Sequence, residues 1–228
     1  MNKLGIMGAM PDETAILYDK MQHGHKEKIG GVDFYVGTLE NHEVVLCCAG
    51  MGKVNAAAAA QLLCTHFNAD AVIFSGIAGN MTSRISVGDV VISSSALYHD
   101  AENRMLAECY PHKQEFMADA VLISAAERAC DELQVKYITG RIATGDTFIG
   151  DSVTKKRIAD AFAPACVEME GAAVAHIACK NDKPFVIIRA MSDDANEEGA
   201  EKIVNKTFDM SEYVKTATEI CVKIIANL

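Results

Sequence analysis

The sequence predicts an α/β protein: a central mixed, mostly parallel sheet covered by helices on both faces, in three layers. Three observations predict it. Apolar runs of strand length alternate with amphipathic or alanine-rich stretches of helix length along the whole chain. Half of the 228 residues are hydrophobic, enough to bury a sizeable core. Between residues 26 and 49 the alternation gives way to runs that read as paired hairpins, so antiparallel strands join the parallel ones. With no low-complexity segment and no repeat, one domain over residues 1–228 is expected.

The elements follow in order. LGIMGAM (4–10) reads as a buried strand and TAILYDKM opens a helix. VDFYVGTL and EVVLCCAG are strands, punctuated by Gly30-Gly31 and Glu40-Asn41. Lys53 to Phe67 is an alanine-rich helix, AVIFSGIAG (71–79) a strand, and VGDVVISSSALYH (87–99) another. Residues 100–117 are polar and read as irregular, an excursion over a site or a subunit boundary. A long helix follows at about 118–133, then the strand YITGRIATGD and a helix around 152–162. VEMEGAAVAH (167–176) leads from a strand into a helix, PFVIIRAMSDD (184–194) is a strand, and a last helix starts near residue 210.

Composition excludes several classes. Asp and Glu number 31 against 21 Lys and Arg, a formal charge of −10, which opposes a general nucleic-acid surface. No apolar run approaches the roughly 20 residues of a membrane-spanning helix, and MNKLGIMGAM lacks a secretory pattern. The eight cysteines form no C-x-x-C pair and sit mostly in apolar segments. They read as small hydrophobes in a reducing cytoplasm rather than as disulfides or zinc ligands. Gly-Met-Gly-Lys at 50–53 is no phosphate loop, because the glycine spacing is wrong and no Ser or Thr follows Lys53.

In open α/β sheets ligands bind outside the carboxyl ends of the strands. There the chain offers Met10-Pro11-Asp12-Glu13, the glycine-rich turn Ile77-Ala78-Gly79, the pair Met169-Glu170, and Ser192-Asp193-Asp194 with Arg189 inside its strand. Glu13, Glu170 and Asp193 thus come from separate strand ends. Each has a plain alternative: Glu13 and Glu170 could cap the helices that follow them, and Asp193 or Asp194 a turn. Spacing alone leaves these readings open. Glu168, two residues before Glu170, shares a strand face with it.

GAMPDE (8–13), SGIAGN (75–80), TGDTFI (144–149), VEMEGAAVAH (167–176) and RAMSDDA (189–195) resemble, in order and across essentially the whole chain, the signature segments of the bacterial 5′-methylthioadenosine/S-adenosylhomocysteine nucleosidases. That family belongs to the larger nucleoside phosphorylase family, with a mixed sheet flanked by helices and usually a homodimeric assembly. The resemblance implies hydrolysis of the N-glycosidic bond between adenine and ribose, without metal or organic cofactor, on a small adenine thionucleoside. It implies Asp193 as the general acid toward adenine N7, Glu13 as the group that deprotonates the attacking water, and Glu170 as the ligand of the ribose 2′-hydroxyl facing the developing cation. Met169 would contact the sugar. Adenine would lie against Phe148, with the backbone of Ile149 reading its edge. Met10, Met51 and Phe208 match the positions of an apolar slot for the 5′ substituent.

The same resemblance gives Glu168 no chemical step, so a structural role with a buried polar partner is expected, and Arg189 is a plausible partner for a site carboxylate. Ile77 occupies a place where some relatives carry serine. Segment 100–117, which in relatives lends apolar residues to the partner subunit's 5′ pocket, is divergent and short. A phosphorylase is the nearest rival, but the first loop MPDETA carries acid where phosphate needs base, the glycine turn SGIAGNM carries no base, and Arg84 is the only nearby cation. Aminofutalosine hydrolysis would share every adenine and ribose contact. A catalytically dead nucleoside-binding protein would not need all three carboxylates. His99 and His176 are expected outside the chemistry, His176 as a packed or hydrogen-bonded residue.

Overall fold

The computed structural model describes residues 1–205 and 209–228. Strand β1 (Lys3–Gly8) passes through Met10 into helix α1 (Pro11–Lys20), which starts before the expected TAILYDKM. Pro11 stands at the first helical position, where its missing N–H costs nothing. Asp12 and Glu13 follow in the first turn, where the helix dipole favours carboxylates. Strands β2 (Gln22–Ile29), β3 (Val32–Leu39) and β4 (His42–Cys48) form an antiparallel meander. Its turns are Gly30-Gly31 and Glu40-Asn41, and all four residues have positive φ, as two-residue hairpin turns require.

Next come α2 (Lys53–Thr65), β5 (Ala71–Asn80), β6 (Val90–Tyr98), α3 (Asn103–Glu108), β7 (Glu115–Met117), α4 (Ala120–Leu133) and β8 (Tyr137–Thr144). The chain ends with α5 (Ser152–Phe162), β9 (Cys166–Glu168), α6 (Gly171–Lys180), β10 (Phe185–Asp193), α7 (Glu197–Val204) and α8 (Ser211–Ala226). Three elements depart from the sequence reading. Residues 100–117 are not irregular throughout but hold α3 and β7. Strand β7 lies antiparallel on β6, tied there by Glu115, which accepts from Ser95 Oγ at 2.5 Å and from Arg141 Nε at 2.8 Å. Helix α7 was not expected because Gly199 weakens its signal. Asn196 Oδ1 compensates by accepting from Gly199 N at 2.9 Å at the start of the helix.

Among the described residues all ten strands join one mixed sheet. Strand β1 pairs in parallel with β4 and β5, and β5 in parallel with β10. Strand β6 is antiparallel to β10 and parallel to β8, β8 is parallel to β9, and β9 returns antiparallel onto β5. Strands β5, β10, β6, β8 and β9 therefore close into a ring, from which β1, β4, β3 and β2 extend as a wing. Helices α1, α4 and α8 pack one face through Leu17, Leu122, Ile220 and Ile224. The alanines of α2 and α6 cover the other, with Phe74 and Phe116. Small side chains there let these two helices lie close together over the strands that carry the site.

Candidate active site

The carboxyl-end rule holds for β1, β5 and β10, which run side by side in the same direction. Strand β9 reaches the same place from the opposite direction. Val167 pairs with Gly79 in antiparallel register, so the chain continues through Glu168, Met169 and Glu170 back toward Gly76. On β10 a register shift between Met191 and Asp193 turns Ser192 and Asp193 toward the same space.

There they surround a cavity of about 210 Å³ lined by Ala9, Met10, Glu13, Met51, Ile77, Ala78, Gly79, Phe148, Val167, Glu168, Met169, Glu170, Arg189, Ser192, Asp193 and Met210. The structure thus brings together all three candidate carboxylates and, of the expected binding residues, every one except Ile149 and Phe208. The side chain of Ile149 packs in a small core cluster with Met81, Leu97, Ile158 and Val167, beside Phe148 rather than in the main cavity. Phe208 lies outside the described residues. Phe148 and Met51 are 47% and 63% exposed, so the cavity opens between them. Met210, at the start of α8, was missed by sequence reasoning; an isolated Met before a polar helix start gives no signal. Val167 and Ala9 were missed because they look like strand core.

The charges are arranged around one buried cation. Glu168 accepts from Arg189 Nη2 and from Thr144 Oγ1, and also from Gly171 N at 2.7 Å and Glu170 N at 3.1 Å. Glu168, not Glu170, therefore occupies the N-terminus of α6, helped by Thr144 Oγ1, which accepts from Ala172 N at 2.8 Å. That frees the Glu170 carboxylate to accept from Gly52 N at 2.8 Å and to stand 3.4 Å from Arg189 Nη2. Arg189 is fully buried, lies over the Phe74 ring and crosses Gly76, where any Cβ would overlap its Nη1. Burial is offset for the guanidinium by Glu168, Glu170 and Glu13, which together hold it charged.

Burial pushes Glu170 up to about 7, reinforced by the Glu168 charge and opposed by Arg189 and the Gly52 N–H. Glu13 does cap its helix: Oε2 accepts from Met10 N at 2.9 Å and Ala9 N at 2.6 Å. It also lines the cavity, with Oε1 accepting from Ile77 N at 3.3 Å, so capping and a place in the site coexist. Asp193 Oδ1 accepts from Ala195 N at 2.7 Å and Oδ2 from Ser192 Oγ at 2.8 Å. Its neighbour Asp194 is structural, accepting from Asn80 Nδ2 at 3.0 Å. His176 stacks on Phe116 and meets Tyr98 OH at 3.3 Å, and neither it nor His99 lines the cavity. Among the described residues no cluster of His, Cys, Asp and Glu has the geometry to hold a metal ion.

The chain matches the family model of the phosphorylase superfamily over residues 3–226. It is 32% identical to the 5′-methylthioadenosine/S-adenosylhomocysteine nucleosidase of Neisseria meningitidis, solved with methylthio-immucillin-A, at a TM-score of 0.93 with all of both chains covered. The chain belongs to that nucleosidase family, within the phosphorylase superfamily. The nucleosidase of Colwellia psychrerythraea, solved with adenine, is also 32% identical, at a TM-score of 0.92 over 100% of this chain and 96% of that one. The futalosine hydrolase of Helicobacter pylori, at 24% identity and a TM-score of 0.91 over 100% of this chain and 98% of that one, shares the fold. Against this nucleosidase background the buried Glu168–Arg189 pair is the scaffold, and Glu170 the carboxylate left available.

Two outcomes follow from these charges. Glu168→Gln leaves the Arg189 guanidinium short of its main partner, and breaking a buried pair costs about 3–5 kcal/mol. Its Tm should fall by roughly 6–20 °C, and an unchanged melting curve would contradict the scaffold role. Glu170 ionises near 7 when folded but near 4.5 when unfolded, so its charge penalises the folded state progressively from about pH 4.5 to 7 and fully above that. Glu170→Gln should therefore melt with the parent at pH 4 and several degrees above it at pH 8. A Tm difference that ignores pH would refute the burial argument.

Proposed function

We propose that the protein hydrolyses the N-glycosidic bond of 5′-methylthioadenosine and S-adenosylhomocysteine, releasing adenine and the thioribose product. One observation carries this reading: Glu13, Glu170 and Asp193 line a single cavity whose other walls are methionine, aliphatic and Phe148 side chains, with Ser192 and the paired Glu168 and Arg189. Breaking such a bond puts positive charge on the ribose while electrons enter the base. Asp193 is the proposed general acid toward adenine N7. Phe148 is the proposed face for the purine. Glu170, as the anion, would accept from the ribose 2′-hydroxyl and face the cation. Glu13, already aligned by the Ala9 and Met10 amides, would take the proton of the attacking water.

Water as the nucleophile is supported by the charges. Among the described residues lining the cavity the only cation is Arg189, and it is engaged by Glu168 and Glu170. Arg84 is exposed and does not line the cavity. A phosphate monoanion or dianion would meet carboxylates there, not a cradle. Met10, Met51 and Met210 would suit a thioether at the 5′ position.

The proposal extends to a homodimer in the cytoplasm that feeds methionine salvage, acting as one domain over residues 1–228. Exposed Met51, Phe148, Met105, Tyr110 and Met117 support an apolar contact surface. Eight free cysteines suit a reducing compartment, and no helix among the described residues is long and apolar enough to cross a membrane.

Asp193→Asn keeps the shape of the site and removes the transferable proton. Adenine release from methylthioadenosine should fall by about 10²- to 10⁴-fold in kcat, the range of general acid catalysis, with substrate binding by calorimetry retained. Full turnover in that variant would overturn the assignment of Asp193.

A further inference from the structure

Outside the cavity a cluster of charges has no part in the chemistry above. Lys53, the first residue of α2, places its Nζ 2.7 Å from Asp100 Oδ1 and 3.4 Å from Asp146 Oδ2. Its backbone N–H donates to Asp146 Oδ1 at 2.9 Å, and Asp146 N donates to Asp100 Oδ2 at 2.9 Å. Helix α2 has no side-chain cap of its own, since its N-cap is Gly52, so Asp146 supplies the cap from the far side of the cleft. Gly52 has φ 92, and a Cβ there would lie 3.3 Å from Asp146 Oδ1, so glycine serves both the turn and the close approach.

Half-exposed ion pairs contribute little to global stability, and the Lys53, Asp100 and Asp146 side chains are 21%, 31% and 51% exposed. Their position is more telling. The residue held by this cluster is adjacent to the amide that donates to Glu170 Oε1 at 2.8 Å. On the other side Asp146 precedes Thr147 and Phe148, and its predecessor Gly145 donates to Glu168 O at 3.1 Å. The cluster therefore ties the segment bearing Met51 and Gly52 to the segment bearing Phe148, across the mouth of the cavity.

We infer that Asp146, with Lys53 and Asp100, is a positioning clasp that holds the Gly52 N–H on Glu170 and sets the separation of Met51 and Phe148. This deepens the nucleosidase reading and rests on it. The groups facing Glu170 are Glu168 from β9, Arg189 from β10, Glu13 from α1 and the Gly52 N–H ahead of α2. Of these, only the Gly52 N–H depends on the clasp. Loss of that donor favours the neutral acid, so the ionisation of Glu170 moves to higher pH.

The test compares Asp146→Ala, Asp146→Asn and Lys53→Met with the parent. In Asp146→Ala the acid limb of kcat/KM for adenine release from methylthioadenosine should move up by about one pH unit. KM should rise as the mouth loosens, with Tm lowered by only a few degrees. Asp146→Asn retains an acceptor for the Lys53 N–H and should return most of the limb. Lys53→Met keeps the helix cap, removes the ion pairs and should move the limb in the same direction, so it decides the matter should Asp146→Ala fail to fold. An unmoved limb in a parent-like enzyme, with only Tm reduced, makes Asp146 a plain helix cap and overturns the inference. If the parent itself releases no adenine, the functional reading fails instead. The clasp is then read in the unliganded protein: the pH at which Glu170 ionisation bends the Tm profile should shift upward in the variant, and an unshifted bend overturns the clasp.

Discussion

The site depends on a shortage of positive charge. One buried guanidinium, Arg189, faces Glu168, Glu170 and Glu13, and it has one strong partner to give. Glu168 takes that partner together with two amides and a hydroxyl, which makes it a fully satisfied anion inside the fold. Glu170 is left with one amide and a long contact to the same guanidinium, and burial moves it into the neutral range. The two glutamates of VEMEG thus differ in role because their environments differ, although they stand two residues apart. A carboxylate that the protein's own groups satisfy poorly is suited to a ligand that completes its hydrogen bonds and supplies the positive charge it lacks.

The fold makes this arrangement by mixing strand directions. A wholly parallel sheet would place every site residue on a loop beyond a strand end. Here β9 enters antiparallel to β5 and brings Glu168 to Glu170 back alongside the strand, within reach of an arginine in the middle of β10. Gly76 lies beneath that arginine, and the closeness of Arg189 Nη1 to the position a Cβ would take explains why no larger residue fits. Closure of β5, β10, β6, β8 and β9 into a ring then fixes the distances between those strands through backbone pairing.

Much of this was legible in the residues themselves. Alternating runs marked nearly every strand and helix, and the turn residues Gly30-Gly31 and Glu40-Asn41 marked the meander. Helices α3 and α7 and strand β7 escaped: α3 is a six-residue helix in a polar stretch, α7 contains a glycine, and β7 is three residues long and held by Arg141 and Ser95 from distant strands. The candidate carboxylates were visible as charges at strand ends, but periodicity could not separate a cap from a ligand, and only the resemblance to a family proposed site roles for them. The division of labour between Glu168 and Glu170 was only half visible, because it depends on which of them meets the α6 amides. The Gly52 N–H was invisible, since a backbone donor leaves no side chain to read. Met210 was invisible for a different reason: its place follows from the approach of α8 to the cavity, a tertiary fact.

The central claim is that this set of acids, with Arg189 the only cation among the described residues lining the cavity and already engaged, activates water and has no place for phosphate. The direct measurement is turnover of methylthioadenosine in H₂¹⁸O with abundant inorganic phosphate, followed by mass analysis of the sugar product. The account predicts free methylthioribose carrying one solvent ¹⁸O from the hydrolytic step, with adenine appearing at the same rate when phosphate is left out. Correction for exchange at the anomeric carbon comes from a control incubation of the product alone. A sugar 1-phosphate, formed only when phosphate is present, would contradict it.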